Sequence, residues 1–193
     1  MQEKEGLPVL EFGGPPEWEQ WLDEHHSDAK GLWLKFAKKG ADAVTVTYAE
    51  AVDVALCYGW IDGKAGSFDE SFWLQRFTPR GPRSKWSQIN VAKVQRLTET
   101  GLMQPSGLAA VEAARQDGRW DAAYSPPSTI TVPADLQAAL DGSPTAAAFF
   151  ETLNGTNRFA VLHRIDDAKR PETRARRIAK YVEMLARNEK VYP

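Results

Sequence analysis

WIDGKAGSFDESFWLQRFTPRGPRSKWSQIN, residues 60–90, decides how the chain folds. Trp60-Ile61-Asp62-Gly63 gives a short extended piece followed by an Asp-Gly turn signal. Ser71 to Phe77 alternates, with Phe72, Leu74 and Arg76 on one face and Trp73, Gln75 and Phe77 on the other. The two pieces predict a hairpin whose tip is the Lys64–Glu70 loop. Thr78-Pro79-Arg80-Gly81-Pro82-Arg83 is a stiff turn, because two prolines and a glycine exclude regular structure. Ser84 or Ser87 then caps a helix that runs to about Thr100 and stops at Gly101, with Ile89, Val94 and Leu97 facing the core.

Upstream, residues 1–6 read as a frayed terminus and Leu7–Phe12 as a strand closed by Gly13-Gly14-Pro15-Pro16. A helix follows from Pro16, with Trp18, Trp21 and Leu22 at helical spacing. Residues 31–39 alternate Leu32, Leu34 and Phe36 against Trp33 and Lys35, the pattern of a half-buried strand, and Val44-Thr45-Val46 favours a second extended piece. Thr47 and Glu50 make a capping box that opens a helix ending at Gly59, inside which Cys57 packs as a small hydrophobe.

Downstream, Pro105 opens a helix with Leu108, Val111 and Ala114 inward, and a proline-rich stretch follows. Beyond it the chain is helical, in segments opened by Pro133, Pro144, Asn157 and Pro171. Strands and helices mixed first, and helices alone last, define an α+β protein: a small antiparallel sheet packed with helices, followed by an all-helical C-terminal region. The expected division is an α+β domain over 1–124, a connector over 125–132 and a helical subdomain over 133–193.

Composition constrains function. The 193 residues are 42% hydrophobic and 26% charged, which is ordinary for a soluble globular protein. A net charge of −2 argues against nucleic acid as a partner without excluding it. No leader pattern and no membrane-length apolar run is present, membrane insertion is not expected, and the expected compartment is the cytoplasm. Cys57 is the single cysteine, so no intramolecular disulfide forms. The chain has no Walker or dinucleotide loop, no G-x-S-x-G, no H-E-x-x-H and no paired C-x-x-C, and neither a cofactor nor a metal is expected.

The feature that does point to a ligand is a run from Ser71 to Thr98 with no acidic residue, carrying Arg76, Arg80, Arg83, Lys85, Lys93 and Arg96. A helix N-terminus behind Arg80 and Arg83, beside the Ser84 and Ser87 hydroxyls, suits an anion. Trp60, Trp73 and Trp86 could supply a flat apolar wall. The same residues also read as core tryptophans with arginines lying over them. A second basic group, Lys169, Arg170, Arg174, Arg176, Arg177 and Lys180, reads as a solvated helical face. On the preceding helix, His163 has Asp166 and Asp167 within reach.

YAEAVDVALCYGWIDG (48–63), FWLQRFTPRGPRSKWSQIN (72–90) and AKRPETRARRIAKYVEMLA (168–186) together resemble the bacterial YdeI/OmpD-associated, or bacteriocin-protection, proteins. The resemblance implies a link to resistance against antimicrobial peptides or envelope stress. It supplies no catalytic residues. It implies that Trp60, Asp62, Arg76, Arg80, Ser84, Trp86, Ser87 and Asn90 form a common surface.

Three functions follow as expectations. The first is a small anionic or aromatic ligand held by Trp60, Arg76, Arg80, Arg83, Ser84, Trp86, Ser87 and Asn90, with Asp62 the one candidate acid or base. The second is nucleic acid on the same arginines and tryptophans. The third is a partner protein on the C-terminal helices.

Overall fold

The computed structural model describes residues 2–193. They form two compact units, one comprising the chain up to Trp86 together with Asn90–Ala122, the other Ser87–Ile89 with Ala123–Pro193.

The first unit is built on a five-stranded sheet in the order β1-β2-β3-β5-β4. Its strands are β1 (Glu3–Lys4), β2 (Leu7–Leu10), β3 (Leu32–Ala37), β4 (Trp60–Ser67) and β5 (Phe72–Pro79). Every pairing is antiparallel except that of β2 with β3, which is parallel because α1 (Pro15–His25) intervenes. The α+β class read from the sequence is the observed one.

The expected hairpin is β4–β5, but its tip is shorter than expected. Asp62-Gly63 lies inside β4, where the register skips between Asp62 and Ala65, and pairing resumes as far as Ser67 opposite Trp73. This bulge leaves the Gly63 carbonyl outside the ladder, and the buried Gln75 side chain donates Nε2 to it at 2.7 Å.

Helices α1 and α2 (Tyr48–Cys57) cover one face of the sheet, the face carrying Leu32, Leu34, Phe36 and Phe77. Trp18 of α1 stands edge-on to Trp60 and Phe77 and donates Nε1 to the Ala51 carbonyl of α2 at 3.1 Å. The capping box at Thr47 is formed in both directions, and Gly59 takes φ +76° just beyond the α2 C-cap, as read. Helix α4 (Pro105–Gln116) then packs on the end of α2, where the Gln104 amide donates to the Cys57 carbonyl at 3.0 Å.

The opposite face corrects the reading of β3 as half-buried. Trp33 is wholly buried there in a cluster with Val9 and Leu74, with Leu7 and Phe68 against it. The ammonium groups of Lys4 and Lys64 lie 4.7 and 5.7 Å from its ring. Lys4 is placed there by the first strand. Of the six residues expected to fray, Met1 lies outside the described residues, while Glu3–Lys4 pair with β2 through a two-residue turn, Glu5-Gly6, with both φ values positive.

Three other expectations fail. Val44–Val46 form no strand. Thr45 Oγ1 accepts from the Ala37 amide and the Val46 amide donates to the Phe12 carbonyl, single bonds that do not make a ladder. In α3 (Gln88–Glu99), Val94 and Leu97 are buried but Ile89 is exposed. In α4, Leu108 faces solvent and Gly107 takes the inward position beside Val111 and Ala114.

The second unit holds α5 (Ala134–Asp141), α6 (Pro144–Glu151), α7 (Gly155–Asp166) and α8 (Pro171–Ala186). Their inward stripes, which include Leu136, Leu140, Phe150, Leu162, Ile165 and Leu185, make one apolar core. α7 starts at Gly155, two residues before the expected Asn157, since Asn154 caps it, its Oδ1 accepting from the Asn157 amide at 2.9 Å.

Candidate functional site

The residues of the 60–90 segment separate into distinct groups. Trp60 is buried at the head of β4, edge-on to Trp18 and Trp21, and donates Nε1 to the His26 carbonyl at 3.2 Å. Trp86 is equally buried, 4.9 Å from Trp120. Trp73 belongs to a third group, with Phe36 and Tyr48. Among the described residues no two of Trp60, Trp73 and Trp86 are in direct ring contact, although Trp18, Phe77 and Phe36 link Trp60 to Trp73 through successive rings.

Arg80, Lys93 and Arg96 are engaged within the chain. The Arg80 guanidinium lies 3.6 Å from the Trp86 ring centroid, and Nη1 donates to the Lys85 carbonyl at 3.0 Å. That is a stacked arginine of the kind that fixes a loop. Ser84 closes the turn, its Oγ accepting from the Gly81 amide at 3.0 Å, and its carbonyl accepts from Arg119 Nη1 at 2.9 Å. Lys93 and Arg96 both hold Asp53. Arg76 lies on the opposite sheet face, beside the Cβ position of Gly63. There the Glu5 carboxyl is held below the usual range, first by its hydrogen bond from Lys64 and, more weakly, by the positive charge of Arg76. Arg83 is exposed and Asn90 is half-buried on α3. Ser87 is buried just before α3 and forms an isolated bridge with Tyr124 in the second unit.

Asp62 is where the segment meets an open cavity. It is half-buried on β4, and its Oδ2 accepts the Tyr48 phenol at 2.7 Å. Tyr48 in turn lines a cleft of about 370 Å³ with Phe36, Trp73 and the 43–47 loop. Phe36 and Trp73 stack at 4.8 Å and 25°, the Tyr48 ring stands at 73° to Phe36, and the Tyr48 and Trp73 centroids are 6.0 Å apart. The lining contains no charged side chain. This size and apolar lining suit a small ligand. Of its walls, sequence reasoning found Trp73 and, behind Tyr48, Asp62. It missed Phe36, Val44 and Tyr48 as site residues, because the β3–β5 pairing that sets Phe36 opposite Trp73, and the loop that brings Val44 and Tyr48 beside them, exist only in the folded unit.

A second cleft, about 210 Å³, lies beside Cys57, Asp53 and Arg96. Burial pushes the Cys57 thiol up to about 11, with Glu19 and Asp53 adding to the rise, so the thiol is a packed neutral group rather than a nucleophile. Among the described residues no cluster of His, Cys, Asp or Glu could hold a metal ion, and no helix is long and apolar enough to cross a membrane.

In the second unit, part of the basic face is structural. Arg174 grips both Asp135 oxygens, at 2.5 and 2.9 Å, and donates to the Ile165 carbonyl at 3.1 Å. Arg177 donates to the Arg164 carbonyl and pairs with Asp167 at 3.6 Å. With Asp166 also 3.5 Å from Arg174, both carboxylates near His163 are held by arginines. The His163 ring stacks on Phe159 at 5.3 Å.

The chain thus has two parts in sequence, an α+β unit with an aromatic cleft and then a helical unit. A family model described as a domain of unknown function, DUF8412, matches residues 10–110, more than half of the chain, and the chain belongs to that family. It also carries a bacteriocin-protection, YdeI or OmpD-associated domain over residues 129–188, which takes in all of α5–α8. Of the three blocks that carry the resemblance, 168–186 falls in the second match and the other two fall in the first. Comparison with curated proteins and with solved structures yields no match.

Proposed function

We propose that the first unit binds a small ligand with a compact apolar or aromatic body in the cleft between Trp73, Phe36 and Tyr48, and that Asp62 positions Tyr48 for it. The observation that carries this reading is the cleft itself: about 370 Å³, lined by three mutually packed rings and no charged side chain. Exposure of Tyr48 and Val44 at its mouth supports it, since these residues keep apolar surface in water that a ligand would cover. The intramolecular partners of Arg80, Lys93 and Arg96 support a reading in which the ligand meets the Trp73 side of the 60–90 segment. In the protective role implied by the C-terminal match, capture of this ligand is the molecular event behind resistance.

The test is calorimetric titration of the intact protein and of Trp73→Ala with indole and with phenol. Saturable binding that is lost in the variant is expected. Equal heats from both proteins would overturn the reading. In cells, Trp73→Ala should lose protection to the same degree as deletion of the gene.

A further inference from the structure

We propose that the ligand of this cleft is a compact organic cation, a quaternary or fully substituted ammonium group seated against Trp73 and Tyr48. The inference rests on the reading of the cleft as a ligand site and names the chemistry of what enters it.

Charge is the first argument. Two lining residues are hydrogen-bonded to charged side chains, and in both cases the charge is negative. The Tyr48 phenol donates to Asp62 at 2.7 Å, and the Thr47 hydroxyl and amide donate to Glu50 at 2.7 and 2.9 Å. A phenol that donates to a carboxylate gains electron density on its ring, which strengthens the attraction of the ring face for a cation. The Glu50 carboxyl is held below its usual range by these Thr47 bonds and stays negative at neutral pH.

The second argument is how the unit treats several of its other rings. Lys4 and Lys64 lie over Trp33, Lys35 over Phe68 and Phe72, Arg80 over Trp86, and Arg115 near Trp120. Among the described residues none of the chain's own cations lies over Trp18, Trp21, Trp60 or Trp73, and of these four rings Trp73 is the one that lines the cleft. A ring left without an internal cation, beside carboxylate-backed walls, is complementary to an external one.

The third argument concerns shape and donors. The lining has no charged group to pair with an anion, and its walls are apolar apart from the threonines and the tyrosine hydroxyl. An ammonium whose hydrogens are replaced by methyl groups needs no hydrogen-bond acceptor, and its desolvation costs less than that of a primary ammonium and is offset by the ring faces and the carboxylates behind the walls. A primary ammonium would need several acceptors.

The experiment compares choline with 3,3-dimethylbutan-1-ol, its neutral isostere, by calorimetry on the intact protein, Trp73→Leu, Tyr48→Phe and Asp62→Asn. Choline is expected to bind at least tenfold more tightly than the alcohol. That preference should disappear in Trp73→Leu and shrink severalfold in Asp62→Asn and Tyr48→Phe, with unchanged melting temperatures confirming folded variants. Equal binding of the two probes would overturn the cation assignment and leave the apolar-ligand reading standing. Binding of neither probe, with indole also failing, would overturn both.

Discussion

A β-carbon built on Gly107 would stand 2.1 Å from the carbonyl oxygen of Cys57, closer than any real contact allows. The neighbouring atoms are backbone: the Cys57 carbonyl carbon at 2.7 Å and the Leu56 oxygen at 2.9 Å. A side chain here must therefore push α4 off the end of α2. Alanine in a helix interior ordinarily gains about 1 kcal/mol over glycine. Gly107→Ala should instead lose about 2 kcal/mol or more, as overpacking does. Urea unfolding followed by tryptophan fluorescence checks this directly, because all seven tryptophans lie in the first unit.

Cys57, on the other side of that contact, should be silent toward thiol reagents. Burial, the main cause, pushes its pKa up to about 11, so at pH 8 the group is a neutral thiol with little access. A disulfide reagent should label the native protein slowly and the urea-unfolded protein at once. The linked stability effect has a definite sign. Above about pH 9 the unfolded chain releases this proton while the folded chain retains it, so stability falls between there and about 11. Cys57→Ala should flatten that alkaline decline.

Asp135 makes the corresponding prediction for acid. Its hydrogen bonds from Arg174 hold the carboxyl below its ordinary 3.8, with the backbone amide of Leu136 also lowering it. The folded unit therefore binds fewer protons than the unfolded chain. The contribution is fully present above the ordinary value and is lost as pH falls through the lowered one. Because Asp135 is half-exposed, solvent screens the pair and the effect is modest. Asp135→Asn should reduce the acid sensitivity of helix content by circular dichroism, without changing the tryptophan signal of the first unit.

Asn157 is one of the few buried polar side chains, and it holds the end of the chain. Its Oδ1 accepts from the Tyr192 amide at 2.9 Å and its Nδ2 donates to the Tyr192 carbonyl at 3.3 Å. Asn157→Leu should cost about 1 kcal/mol, because the Tyr192 amide and carbonyl lose both side-chain partners. Hydrogen exchange should show the loss first at Tyr192.

What could be read from the sequence was local. The Thr47–Glu50 box, the Gly59 stop and the alternation of Phe72–Phe77 need only neighbours a few residues away, and all three appear as read. Trp33 and Val44 were misjudged because their environments are assembled from afar. Lys4, Val9 and Leu74 close over the one, while the other, expected in a strand, lies in a loop that reaches the sheet through single hydrogen bonds. Ile89 and Leu108 fit helical stripes yet face solvent, since periodicity defines a face but not what covers it. For the candidate site, the composition of 60–90 pointed to aromatic and charged chemistry. The grouping of Asp62 with Tyr48 and Trp73, apart from Arg80 and Trp86, depends on which sheet face each residue takes and on the loop from 43 to 47.

The skipped register in β4 has a consequence for the protein in bulk solution. β4 and β1 are the two outer strands of the sheet, where unpaired amides could recruit a strand from another molecule. β4 is interrupted between Asp62 and Ala65 and carries Lys64 at the break, paired at 2.6 Å with Glu5. β1 is only two residues long. Neither border presents a straight run of donors and acceptors long enough to template growth. The same bulge that turns Gly63 toward Gln75 thus protects an aromatic-rich sheet from edge-to-edge aggregation.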